Sequence, residues 1–320
     1  MVVGFDTSAY TTSVALAEPG QGVIGDYRQL LQVKPGQRGL RQADAVFDHI
    51  RNLPDLIARA STHFSADEVI AVGASVTPTP APNSYMPVFV PGSSWAKSLA
   101  STLKVPLYNF SHQEGHIRAA LSEANLDQSK PFLAVHFSGG TSEIMLVNRQ
   151  SPGNYQIQVC GRGSDLAAGQ LVDRVGVKLG LSFPAGAELE RLALMADNDI
   201  KEIPVLPSSV NARCFSFSGA EAEAFRQIER GTPPALVAQA VLRCIANTLE
   251  KVIRASSEQY SVRQVLLAGG VMANQIIKSR LEYRLSEKHW YLGFALPELA
   301  TDNATGIALL TLERQLGKTL

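Results

Sequence analysis

Cysteine is scarce, with three in 320 residues: Cys160, Cys214 and Cys244, far apart along the chain. No CxxC pair and no dense framework occurs, which excludes a disulfide-stapled scaffold and reads as reduced, buried thiols. Net charge is also missing: Lys plus Arg number 29, as do Asp plus Glu. This argues against a protein that coats nucleic acid non-specifically, while leaving room for a local basic patch. No apolar run reaches the ~20 residues of a membrane helix. The opening Met1-Val2-Val3-Gly4-Phe5-Asp6 turns polar too early for a secretory signal. The expectation is a cytoplasmic protein with no membrane and no DNA partner. What is present is a 45% hydrophobic, 18% charged chain, rich enough to bury a core and long enough for two compact domains or one large one.

The chain opens with an apolar run, Val2–Phe5, a small polar turn from Asp6 to Ser13, and a second run, Val14–Ala17. Strand, turn, strand is the reading. Phe132–Phe137, Ser138-Gly139-Gly140-Thr141-Ser142-Glu143 and Ile144–Val147 repeat it. Two such openings, each leading strands and helices, predict a duplicated α/β architecture with a cleft between lobes. The glycines of Ser138-Gly139-Gly140 allow backbone to approach an anion closely. Residues 41–62 have helical period, with Ala45, Phe47, Ile50, Leu53 and Ile57 as the expected core face and His49 on a polar or partly buried face. Four prolines between Thr77 and Pro87 exclude helix and central strand, leaving a stiff loop suited to a substrate wall. Asp165 reads as a helix N-cap, and Asp173 lies mid-helix among apolar neighbours. Residues 233–258 form a long helix with Val237, Val241, Ile245, Leu249 and Ile253 inward. A strand, Val265–Ala268, enters Gly269-Gly270 and then a helix, a junction whose N–H groups favour anions, although a tight turn needs the same glycines.

His112 and His116 stand four residues apart at a helical stretch, Ser111-His112-Gln113-Glu114-Gly115-His116, so both imidazoles reach one ion. Two readings are open: a helix cap and a core histidine, or two of at least three ligands. Near the end, Thr301-Asp302-Asn303 precedes an apolar helix. Thr301 or Asp302 reads as its N-cap, and Asp302 is also a candidate third ligand.

Taken in order and spacing, these pieces resemble the TsaD family of tRNA N6-adenosine threonylcarbamoyltransferases, formerly grouped as O-sialoglycoprotein endopeptidases. The carrying motifs are His112-Gln113-Glu114-Gly115-His116, Ser138-Gly139-Gly140, Phe215-Ser216-Phe217-Ser218-Gly219, Gly269-Gly270-Val271-Met272-Ala273-Asn274 and Thr301-Asp302-Asn303. The resemblance implies a two-lobed actin-like, hexokinase-like fold. Its expected boundaries are an N-terminal lobe over 1–128, a C-terminal lobe over 129–300, and a terminal helix over 301–320 packing back on the first. It implies one divalent metal ion, iron or zinc, on His112, His116 and Asp302. It implies an adenine nucleotide (ATP, AMP or an acyl-adenylate) on Ser138, Gly139, Gly140, Asp173, Gly186 and Asn274. The implied reaction is threonylcarbamoyl transfer from its AMP anhydride to N6 of the adenosine beside the anticodon of tRNA, with a TsaB-like paralogue and a TsaE-like ATPase as partners. Against the family pattern ETSCDET, this chain has Tyr10 and Thr11 at the two acidic places, Pro80-Ala81-Pro82 replaces a GPG loop, Ser142 follows Ser138-Gly139-Gly140-Thr141, and Glu221 stands for a lysine. A divergent paralogue that keeps metal and nucleotide but uses another acceptor, or regulates a partner, is the alternative. A metallopeptidase ranks below both, since the HExxH glutamate arrangement is missing.

Overall fold

The structure, a computed structural model, describes residues 1–8, 10–32, 40–122, 124–196, 203–286, 289–296 and 302–317. Thr301 and the preceding Pro297–Ala300 stretch lie outside the described residues. The chain runs β1 (Val2–Thr7), β2 (Thr11–Glu18), β3 (Gly22–Leu30), α1 (Gln42–Ala60), β4 (Ala71–Thr77), α2 (Phe89–Leu103), β5 (Leu107–Ser111) and α3 (His112–Leu121). It continues with β6 (Phe132–Phe137), β7 (Ser142–Ser151), β8 (Asn154–Gly163), α4 (Ala168–Lys178), α5 (Gly186–Leu194), β9 (Ser209–Asn211), β10 (Cys214–Ser216) and α6 (Ser218–Glu229). The last elements are α7 (Pro234–Tyr260), β11 (Gln264–Ala268), α8 (Gln275–Leu285), β12 (Tyr291–Phe294) and α9 (Thr305–Leu316). Two compact units result: residues 1–122 with 149–156 and 301–320, and residues 123–148 with 157–300.

The first unit holds a sheet of order β3-β2-β1-β4-β5. β1 pairs antiparallel with β2 and parallel with β4. All six residues of β1 are buried, because helices cover both faces. Val3 and Phe5 point to Leu53, Leu56, Ala96 and Ala100 of α1 and α2. Gly4, between them in the alternation, faces α9. A Cβ there would lie 2.6 Å from the Ala308 nitrogen, and one on Gly73 would overlap the Thr311 hydroxyl. α9 therefore sits directly on the sheet. It crosses α3 as closely, for a Cβ on Gly306 would overlap the Gly115 carbonyl.

The second unit repeats the plan. Its sheet order is β12-β11-β6-β7-β8-β10-β9, so that β8-β7-β6-β11-β12 matches β3-β2-β1-β4-β5 place for place. β6 is antiparallel to β7 and parallel to β11, as β1 is to β2 and β4. The additions are β10, parallel to β8, and β9, antiparallel to β10. Val237, Val241, Ile245, Leu249 and Ile253 of α7 are all buried, as their spacing requires. Each such side chain contributes about 1.5–3 kcal/mol of transfer free energy.

Three expectations need correction. The core stripe of α1 is Ala45, His49, Leu53, Leu56 and Ala60, with Ile57 packed beside it. Phe47 and Ile50 are 61% and 52% exposed, so neither is a core residue. At 100° per residue Phe47 projects about 160° from that stripe. His49 takes a core place that polarity alone would deny it, because both ring nitrogens find partners. Cys214 is exposed at the short strand β10, unlike the other two cysteines.

Gly306→Ala is expected to cost about 3 kcal/mol in urea denaturation, since backbone rather than a movable side chain blocks the methyl. Gly219→Ala in α6, which meets only an ordinary 3.6 Å contact, is expected to be neutral or stabilising by up to about 1 kcal/mol.

Candidate metal centre

α3 starts where the sequence supplies a complete cap. The Ser111 hydroxyl accepts from the Glu114 N–H at 3.2 Å, and Glu114 Oε2 accepts from the Ser111 N–H at 2.7 Å. Ser111, not His112, is thus the cap, and Glu114 spends its carboxylate on it. The two imidazoles are released to one side, with ring centroids 4.3 Å apart and edge to face.

Asp302 reaches them because α9 lies against α3. Asp302 is not the cap of α9: the Asn303 side-chain oxygen accepts from the Thr305 N–H at 3.1 Å, and the helix begins at Thr305, while the Thr301 reading lies outside the described residues. Asp302 Oδ1 lies 3.4 Å from His112 Nε2 and 3.3 Å from His116 Nε2. The candidate ligand atoms of His112, His116 and Asp302 all fall within 4.8 Å of one another. One carboxylate and two imidazoles is a donor set that suits zinc or ferrous iron and leaves coordination places open.

Asp6, at the end of β1, orients the group. It is buried, its Oδ1 accepts from the Ser8 N–H at 3.0 Å, and its Oδ2 lies 2.7 Å from His112 Nδ1. A carboxylate only accepts, so Nδ1 carries a proton toward Asp6, and Nε2 is the ring nitrogen that faces Asp302 and is left to meet an ion once its own proton is lost. Burial disfavours charge on His112, but Asp6 and then Asp302 push its pKa up to about 10. Burial likewise opposes ionisation of Asp302, while hydrogen bonds and charge from the two imidazoles hold it well below the usual carboxylate range. The site is electrostatically built for positive charge.

His49 braces the turn that carries Asp6. Its Nε2 donates to the Ser8 carbonyl at 2.8 Å, which leaves Nδ1 to accept from the Thr12 hydroxyl at 2.8 Å. Burial pushes its pKa down, so it stays neutral and keeps this tautomer. The sequence placed Asp6 in the first polar turn and His49 on a polar or partly buried helix face, with no part in the site for either. The available signal for Asp6 was an acidic residue ending an otherwise apolar first strand. For His49 it was its place in the i,i+4 stripe with Ala45 and Leu53. The proline loop is anchored beside the pair: the Pro78 carbonyl accepts the Gln113 N–H at 3.0 Å, and the Ser84 hydroxyl accepts from the Thr79 N–H at 3.1 Å.

The nucleotide candidates all lie in the second unit. The Ser138 hydroxyl accepts from the Thr141 N–H at 3.1 Å, closing the turn. Gly139 and Gly140 have open space where a Cβ would stand, and Gly169 of α4 packs on that turn. Asp173 accepts the Ala185 N–H at 2.8 Å, directly before Gly186 at the start of α5. Its pKa is raised by burial, against that hydrogen bond. One turn along α5, Glu190 accepts the Gln275 N–H at 2.6 Å beside Asn274. Asn274 caps α8, its carbonyl oxygen accepting from the Ile277 N–H at 3.0 Å, and a 3₁₀ turn over Gly270–Ala273 separates β11 from that helix. Asp173, Gly186 and Asn274 are therefore linked through α5, whereas Ser138, Gly139 and Gly140 form the turn after β6. Asp165 does not cap α4, which starts after Ala167. It accepts from the Phe217 and Ser218 N–H groups and both adjacent serine hydroxyls, closing the first turn of α6 instead.

The family model described as TsaD, tRNA N6-adenosine threonylcarbamoyltransferase, matches residues 34–309. The chain belongs to the TsaD family. The tRNA N6-adenosine threonylcarbamoyltransferase of Thermus thermophilus is 32% identical over 315 residues, 98% of this chain and 92% of that one. Its counterpart from Thermosipho africanus is 27% identical over 317 residues, 97% and 92% of the two chains. Among solved structures, HypF of T. kodakarensis gives a TM-score of 0.63 at 14% identity. The match takes in 99% of this chain but only 48% of HypF. A ROK family glucokinase from Streptomyces griseus gives 0.54 at 12% identity, with 98% and 99% covered. These structural likenesses establish the actin-like, hexokinase-like fold of this TsaD-family transferase. Among its described residues no helix is long and apolar enough to cross a membrane.

Asp165→Ala should destabilise the protein by about 1 kcal/mol at neutral pH, the ordinary worth of a helix cap at a solvent-exposed position. The carboxyl is held below its usual range by the serine hydroxyls and N–H groups, against burial. A depressed folded-state pKa gives stability that is present above the unfolded value, ~4, and lost as pH falls through the folded one. The gap between wild type and variant in urea titrations should therefore narrow below about pH 4.

Proposed function

We propose that this chain transfers a threonylcarbamoyl group from threonylcarbamoyl-AMP to N6 of the adenosine beside the anticodon of tRNA. The observation that carries this reading is the TsaD family match over 34–309. The N6 amine attacks the carbamoyl carbonyl, the new N–C bond forms as the anhydride C–O bond breaks, N6 gives up a proton, and AMP departs. His112, His116 and Asp302 hold one divalent ion, iron or zinc, with Asp6 fixing the His112 ring. Such an ion, when bound, supplies Lewis acidity toward an acyl or phosphoryl oxygen. Ser138, Gly139, Gly140, Asp173, Gly186 and Asn274 contact the adenylate. The open space where a Cβ would stand at Gly139 and Gly140 supports that role, since backbone without a side chain lets an anion approach closely. The proline loop, tied to the start of α3, serves as a wall for the acyl group. The chain works in the cytoplasm with TsaB-like and TsaE-like proteins.

A second reading, transfer to a different acceptor, draws support from the first turn. Tyr10, 44% exposed, and buried Thr11 stand where the family pattern has acidic residues. One assay separates the two. Purified chain, partner proteins, threonylcarbamoyl-AMP and unmodified tRNA are combined, and digested nucleosides are analysed by mass spectrometry. Threonylcarbamoyladenosine is the expected product; tRNA left unmodified while AMP is released would favour the second reading.

The metal assignment has its own test. His112→Ala and Asp302→Ala are expected to lose the ion in elemental analysis while keeping the wild-type circular dichroism spectrum. Asp6→Ala should keep the ligands yet bind zinc about 10–100-fold more weakly. Full metal content in both ligand variants would end the assignment.

A further inference from the structure

The chain as a whole is neutral, yet one seam of the second unit concentrates positive charge. On α7, Arg243, Asn247, Glu250 and Arg254 follow one another at helical spacing. α8 meets this stripe with Arg280 and Arg284, one turn apart. Glu250 is buried and already shared: Arg254 Nε donates to one of its oxygens at 2.9 Å and Arg284 Nε to the other at 2.6 Å. Arg280 has only a neutral partner, Asn247 Oδ1, at 2.8 Å. Among the described residues neither Arg243 nor Arg280 forms an ion pair, although both are half-buried. Among the described residues Arg254 and Arg284 thus share one carboxylate, while Arg243 and Arg280 on the same two helices have none. Burial first, then Arg243 and Arg284, push the Arg280 pKa down, and Glu250 offsets them only in part. Half-burying like charges without a counter-charge is unfavourable unless an anion completes the set.

We propose that the α7–α8 seam contacts the phosphodiester backbone of RNA, Arg243 and Arg280 taking phosphate oxygens. The guanidinium fork matches phosphate geometry, and the bonds to Asn247 and Glu250 hold Arg280 and Arg284 in place for it. Tyr283 decides for RNA over a free phosphate. It is 78% exposed on α8, three residues from Arg280, where a flanking base can stack on its ring. The choice of RNA rests on the proposed tRNA acceptor.

The test uses the full chain and fluorescently labelled tRNA, with affinity followed by anisotropy between about 50 and 300 mM KCl. The double variant Arg243→Gln/Arg280→Gln is expected to bind roughly 10-fold more weakly at the low-salt end. The slope of log affinity against log salt should fall by about 1.5, as for two lost phosphate contacts. Tyr283→Ala should weaken binding roughly 5-fold or more without changing the slope. Arg243→Gln alone removes no hydrogen bond of the fold, and Arg243→Lys/Arg280→Lys should restore most of the slope; these two keep the test valid if the double glutamine variant misfolds. Wild-type affinity and slope in the glutamine variants, or no tRNA binding by wild type, overturns the proposal. Polyglutamate displacing RNA while Tyr283→Ala has no effect would point to an acidic protein and overturn it as well. The two readings fail separately. RNA bound through the seam but never modified removes the acceptor and leaves the seam standing. Normal modification by variants with unchanged slope removes the seam and leaves the acceptor.

Discussion

The seating of α9 is the constraint from which the candidate centre follows. Three glycines, Gly4, Gly73 and Gly306, strip side chains from the surfaces where α9 meets β1, β4 and α3. Backbone then approaches backbone on two sides, and α9 can lie in only one place. Asp302, three residues ahead of the helix, is carried to the two imidazoles by that fit. Its distances of 3.3 and 3.4 Å to them are set by packing far more than by the short turn that bears it. Asp6 comes from β1, which the same helix covers. The acid that contacts the ions' candidate ligands and the acid that orients them thus depend on the same buried surfaces.

Charge in this site runs opposite to what burial prefers. Two carboxylates and two imidazoles gather in the first unit, Asp6 buried and the other three half-buried, and the imidazole between the acids is driven to hold a proton well above its ordinary range. Removing a proton and inserting a cation exchanges one positive charge for another, without rearranging the hydrogen bond from His112 to Asp6. His49 shows the converse. With a carbonyl and a hydroxyl as partners and no acid in contact, burial keeps it neutral, and it serves as a strut.

Periodicity made much of the fold legible. The long helix α7 and strand β6 lie where apolar spacing puts them, and the repeated strand–turn–strand unit foretold the matching halves of the two sheets. The α1 face was misread because Phe47 and Ile50 are apolar but outward, while inward His49 is polar and satisfied by bonds from residues about forty positions away. Such partners leave no local trace. The same holds for Asp165, whose spacing fits a cap for the next helix but whose partners are Ser216, Phe217 and Ser218. At the candidate centre, the His112/His116 spacing could be read because a helix turns in four residues. Asp302 could be named only as a candidate, and Asp6, 106 residues from its partner His112, only from the folded chain.

That α9 follows the second unit along the chain also has a bearing on synthesis. A ribosome delivers residues in order, at about 5–20 per second. Until α9 emerges, the β1–β4 face with its bare glycines lacks this helix, and residues 149–156, whose Gly153 is gripped by Glu313 and Arg314, lack that anchor. The first unit therefore cannot finish folding when its first 122 residues are complete; it waits for the whole of the second. A nascent chain in this interval exposes apolar sheet to its surroundings and carries the histidine pair with Asp6 but without Asp302. The three candidate ligands therefore come together only after the second unit has been made.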